Sequence, residues 1–124
     1  MAYTILSNKK NTSATIHFNS NSSLVIAGNS SVSNVAISNE VLTGASITQI
    51  AWGCDGNGHI QVLRGANVVG IYDSTSYIDY AGNGMSLNLH PSANLVVNFI
   101  GSANCSCIIE IQKAGTFTSE YLVN

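Results

Sequence analysis

No dozen-residue window of this chain keeps an apolar stripe at the helical period of 3.6, whereas short runs alternating at period two recur from end to end. The runs are YTILS (3–7), ATIHF (14–18), SLVIAG (23–28), SNVAIS (33–38), SITQIAWGC (46–54), HIQVLRG (59–65), ANVVGIYD (66–73), SYIDY (76–80), MSLNLH (85–90), ANLVVNFIG (93–101) and CSCIIEIQK (105–113). Between them lie NKKNTS, NSNS, GNSS, DGNG, AGNG, PSAN and SAN. Gly and Asn there tolerate positive φ, and Pro91 stands where a missing N–H does no harm. Short strands with turns about every 8–12 residues predict an all-β chain, a β-sandwich or a barrel, and of these an antiparallel β-sandwich of jelly-roll-like type is preferred.

The alternation also predicts which side chains go inward. Met85, Leu87 and Leu89 share one face of their run, opposite Ser86, Asn88 and His90. Leu95, Val97 and Phe99 share a face, yet Val96 and Ile100 make the opposite face partly apolar, as in a strand lying between layers or at a subunit contact. At 124 residues the chain is read as one domain, 1–124. Its first 40 residues are rich in Asn and Ser and serve either as strands or, in part, as an extended N-terminal arm. The tail TFTSEYLVN is a second arm, whose apolar Phe117, Tyr121 and Leu122 need burial on this domain or on a neighbour.

Charge narrows the function classes. Charged residues are 8% of the chain, against roughly 25% in an average soluble protein. Polarity comes instead from 15 Asn and 17 Ser. Such a surface suits a protein packed against others, because every charge buried at an interface must be desolvated or paired. Net charge is −2, with four basic residues (Lys9, Lys10, Arg64, Lys113), too few to neutralise a phosphate backbone, so no nucleic-acid partner is expected. No apolar run approaches the ~20 residues that span a bilayer, and no membrane partner is expected. The N-terminal MAYTILSNKKN has no basic-then-apolar secretion pattern, which points to a cytoplasmic site of synthesis and assembly. Cys54, Cys105 and Cys107 are then expected to be reduced, and an odd count argues against a disulfide framework.

Chemistry-bearing residues concentrate in AWGCDGNGHIQVLRG (51–65), with Cys54, Asp55 and His59 close together. A Cys–His pair from Cys54 and His59 is one reading. The other is a β-hairpin with DGNG as its tight turn, Asp55 capping it, and Cys54 and His59 at the strand ends. The hairpin is preferred: no C-x₂-C or H-x₃-H metal spacing, no G-x-S-x-G elbow and no H-E-x-x-H or P-loop occurs. Cys105 and Cys107 alternate with Ile109 and Ile111, a core placement for small thiols. No catalytic residue, metal or cofactor is assigned. Trp52, Tyr72, Tyr77 and Tyr80 offer a sugar-stacking platform, set against a core role for Trp52 and rim roles for the tyrosines.

The order ITQIAW (47–52), IQVLRG (60–65), YIDYAGNG (77–84), MSLNLH (85–90) and CIIEIQK (107–113) resembles that of small structural proteins of tailed bacteriophages, over a little more than half the chain. The resemblance implies a virion component, a capsid decoration (cement) protein with a sandwich fold that sits on the capsid surface and binds the major capsid protein. It carries no catalytic residues. A homo-oligomer is expected, a trimer by preference, with contacts from Tyr3, Ile5 and Leu6 at one end and Phe117, Tyr121 and Leu122 at the other. The alternatives are a tail, baseplate or fibre component and a glycan-binding module.

Overall fold

The computed structural model describes residues 3–10, 12–82, 91–101 and 104–117. Ten strands and no helix occupy them: β1 (Tyr3–Asn8), β2 (Ser13–Phe18), β3 (Ser22–Leu24), β4 (Gly28–Asn29), β5 (Glu40–Cys54), β6 (His59–Arg64), β7 (Asn67–Asp73), β8 (Thr75–Asp79), β9 (Leu95–Ile100) and β10 (Cys105–Phe117). They form two antiparallel sheets. The first runs β1-β2-β10-β5-β4, with β8 also beside β5, and the second runs β3-β9-β6-β7. The all-β prediction stands.

Period-two alternation explains the core. Ala14, Ile16 and Phe18 of β2, Ile109 and Ile111 of β10, and Ile47 and Ile50 of β5, where a bulged residue resets the alternation, are buried from the first sheet. Ile60 and Val62 of β6 and Leu95 and Val97 of β9 meet them from the second, in one continuous cluster. Each of these Ile, Val, Leu and Phe side chains contributes about 1.5–3 kcal/mol by leaving water. Leu95 and Val97 are fully buried while Ile100 on the opposite face is exposed, as the alternation predicts.

Three expectations need correction. The run 33–38, predicted as a strand, is irregular. Asn34 accepts from Val25 N through Oδ1 (2.7 Å) and donates its own N–H to Val25 O (2.8 Å), and the Ser33 hydroxyl accepts from Val35 N and Ala36 N. Polar side chains that bond the local backbone compete with a ladder, and here they win. Val35 is nonetheless fully buried, as are Leu24 and Ile26. With β1 and β2 paired to each other and β2 to β10, residues 3–8 and 13–18 are sheet rather than a free arm.

Second, the strand predicted at 46–54 starts at Glu40. An inward glutamate hid its beginning: Glu40 is buried and its Oε1 accepts from Lys113 Nζ at 2.9 Å and from Ile37 N at 2.9 Å. Both side chains of that ion pair are fully buried.

Third, DGNG does not join a hairpin. β5 pairs with β10, β8 and β4, while β6 pairs with β7 and β9, so the chain crosses between sheets at this turn. The local signal specifies a tight reversal, with Gly56 at φ 65°, but partner choice depends on distant strands. The run 85–90 lies outside the described residues.

Candidate functional site

The reactive letters of 51–65 sit where the chain changes sheet three times. β5 hands over to β6 through Asp55–Gly58, β7 to β8 through Ser74 (φ 62°), and β9, ending at Ile100, is followed in the chain by β10, beginning at Cys105. Backbone bonds tie these crossings together: Cys54 N to Ser74 O (2.7 Å) and Asp55 N to Asn104 O (3.0 Å). Gly101, at φ 87°, lies so close to Asn57 and Gly58 that a Cβ there would come within 3.2 Å of the Asn57 carbonyl oxygen.

Cys54 is bonded to Cys105 in a disulfide, which overturns the expectation of reduced cysteines. The two residues face each other across the β5–β10 ladder with Cα atoms 4.1 Å apart, close to the ~4.5 Å of a non-hydrogen-bonded antiparallel pair. Counting cysteines could not find this, because an odd total leaves one over without saying which. The remaining thiol, Cys107, is buried, and burial pushes its pKa up to about 12. Cys54 therefore offers no thiolate, and Cys107 is held protonated in the core.

An open cleft of about 500 Å³ lies beside this end, lined by Asn57, His59, Ile71, Asp73 and Ser74 among others. His59 and Asp73 are cross-strand neighbours, yet among the described residues no hydrogen bond joins their side chains to each other or to Ser74. Asp55 is exposed, and its turn is closed by the backbone, Gly58 N to Asp55 O at 3.4 Å. No group of three or more His, Cys, Asp or Glu converges among the described residues in a way that would hold a metal.

The four aromatic candidates separate. Trp52 is half-buried, donates from Nε1 to Asp73 O at 2.7 Å and packs on Tyr72 with ring centroids 4.7 Å apart. Tyr72 is buried, and its hydroxyl meets that of Tyr80 at 2.9 Å. Burial first, and then the Tyr80 hydroxyl, raises the Tyr72 pKa. These three rings belong to the packing: Trp52 lies half-buried against the core, and Tyr72, expected at the rim, is buried in it. Tyr77 alone is exposed, at 68%.

Of the residues predicted to touch a partner, Tyr3 and Ile5 pack on the protein's own core, Tyr3 against Phe18, and Leu6 is exposed. Leu6 is the extra residue of a β-bulge, since the register jumps between Ile5 and Ser7. Phe117 ends β10, opposite Glu40. Tyr121 and Leu122 lie outside the described residues.

Exposed apolar side chains instead gather on the outer faces of the sheets. On the second sheet the register aligns Val68, Leu63 and Val96 in one row, with Ile71 in the next. Val68 is 50% and Ile71 63% exposed. On the first sheet Ile108, Ala51 and Tyr77 align across β10, β5 and β8.

Sequence reasoning missed Arg64. It is 1% exposed, and its guanidinium donates to Ala45 O (2.7 Å), Ala93 O and Pro91 O. Among the described residues no carboxylate pairs with it, and burial lowers its pKa. Its place after Ile60 and Val62 in the inward register was the available signal. In comparisons with known proteins, the chain matches no family model, no curated protein sequence and no solved structure.

Proposed function

We propose that this chain is a structural protein whose second sheet is covered on its outer face by neighbours, and that its setting is the surface of a tailed-bacteriophage capsid. In this reading the two sheets form a jelly-roll-like β-sandwich. Copies assemble as a homo-oligomer, a trimer by preference, on the shell built by the major capsid protein. The observation that carries the reading is the apolar row Val68, Leu63 and Val96 with Ile71 beside it, on a chain with only 8% charged residues. An isolated exposed Val needs no explanation, but exposed Val68 and Ile71, with half-buried Leu63 and Val96 carrying the row across three strands, make the kind of patch that marks an interaction site. Many copies bound around symmetry axes turn modest single contacts into tight attachment. The Cys54–Cys105 disulfide supports a working environment outside the reducing cytoplasm, as for a released particle.

The test is protein identification and copy counting in purified virions, followed by heating of particles made with and without the gene. Stoichiometric presence, and earlier rupture of particles lacking the protein, are expected. Absence from virions, or equal robustness without it, refutes cementing. A low copy number would reassign the chain to the tail or baseplate. Ile71→Asp should weaken attachment to shells without unfolding the domain.

A further inference from the structure

The outer face of the first sheet carries a trough of different chemistry. Register aligns His17, Ile108, Ala51 and Tyr77 in one row across β2, β10, β5 and β8, and Thr15, Glu110, Gln49 and Asp79 in the next. Small residues on β5, Ala51 and Gly53, make the floor, between walls from β8 (Tyr77, Thr75) and β10 (Ile108, Ser106). Two clefts, of about 200 and 260 Å³, share Ala51 and Ile108 and so follow one another along β5. Each is smaller than the ~300–1,000 Å³ of a drug-sized pocket, which suits an occupant presenting one ring at a time.

The polar groups are placed rather than scattered. Glu110 lies opposite a bulge in β5, where the register jumps and Thr48 is the extra residue. Thr48 is buried, and its hydroxyl donates to Glu110 Oε1 at 2.9 Å. That bond holds one carboxylate oxygen and leaves Oε2 without a partner among the described residues. Gln49 stands between Glu110 and Asp79, about 4.8 Å from each strand. No Lys or Arg lines either cleft, and the imidazole of His17 lines the second: Arg64 and Lys113 are buried elsewhere, and Lys9 and Lys10 precede β2 in its turn with β1.

We propose that this trough binds an uncharged glycan chain running along β5. The exposed ring of Tyr77 and the flat floor beside it fit the C–H face of a pyranose, which is apolar while its rim is polar. The Glu110 carboxylate and the Gln49 amide accept and donate to ring hydroxyls at the edge. Phosphate, sulfate and uronate ligands are disfavoured, because the Glu110 carboxylate and no ammonium or guanidinium line the site. The site does not depend on the capsid reading, being on the opposite sheet from the Val68–Ile71 patch.

The test is a glycan array carrying cellotetraose, maltotetraose, mannotetraose and N-acetylchitotetraose, with heparin and sialyllactose as anionic arms, followed by calorimetry on the strongest. Binding to a neutral chain is expected, weakened about tenfold in Tyr77→Ala, the loss of one stacked ring. Glu110→Gln should weaken it as well, and Ile71→Ser on the other sheet should leave it unchanged. Trp52 fluorescence checks that each variant is folded. No binding to any neutral chain, preference for the anionic arms, equal binding by Tyr77→Ala, or sedimentation showing this face closed by a second copy would each overturn the proposal.

Discussion

Reducing the Cys54–Cys105 bond perturbs the unfolded chain far more than the folded one. In the native state the β5–β10 ladder already holds both residues opposite each other, from Cys105↔Cys54 to Phe117↔Glu40. Breaking the bond therefore removes almost no native contact. In the unfolded state it releases a loop closed over a sequence separation of 51 residues. The chain-entropy relation puts that release at about 4 kcal/mol at 25 °C. A domain of this size has a total stability of about 5–15 kcal/mol, so the loss is a large fraction of it. Urea unfolding followed by the single Trp52 is the assay, with and without reductant, and on the Cys54→Ala/Cys105→Ala double variant. The midpoint should fall by about 2 M, and the melting temperature by about 15 °C. Unreduced protein denatured in the presence of a thiol reagent should show one reactive thiol, that of Cys107. Three thiols, or coincident unfolding curves with and without reductant, would refute the reasoning.

Arg64→Met keeps the volume of the side chain but orphans the carbonyls of Ala45 and Ala93. Pro91 O stays bonded through Ala45 N. Relief of the buried charge offsets part of the cost, and a net loss of about 2–3 kcal/mol is expected by urea denaturation; a variant as stable as the parent would contradict the clamp. Cys107 sets a pH dependence: its folded pKa, about 12, lies above its ordinary value of 9, so the unfolded chain loses that proton first. Stability is then complete below pH 9 and declines toward pH 12, by about 2 kcal/mol at pH 10.5, and Tyr72, also raised by burial, acts in the same direction. Urea midpoints at pH 8 and 10.5 should converge in Cys107→Ala relative to the parent; an unchanged gap would remove Cys107 as its source.

Period-two alternation, read residue by residue, was enough to say that this chain is all-β. It also placed Ile109, Ile111, Leu95 and Val97 in the core, because a pleated strand leaves a side chain only two faces to choose from. It could not say which strand lies beside which. DGNG reads locally as a hairpin turn, yet β5 and β6 belong to different sheets, and their partners lie as far as 77 residues away for β5 (Glu40 opposite Phe117) and 41 for β6 (His59 opposite Ile100). The polar interior escaped the pattern for a related reason. Glu40, Lys113 and Arg64 are tolerated inside only because the fold brings them a partner or a set of carbonyls, and those arrive from other elements. The candidate sites follow the same division. The exposed ring of Tyr77 and the carboxylate of Glu110 are single letters in the chain, and only the lateral register of β8, β5 and β10, with Thr48 bulged beneath them, makes one surface of them.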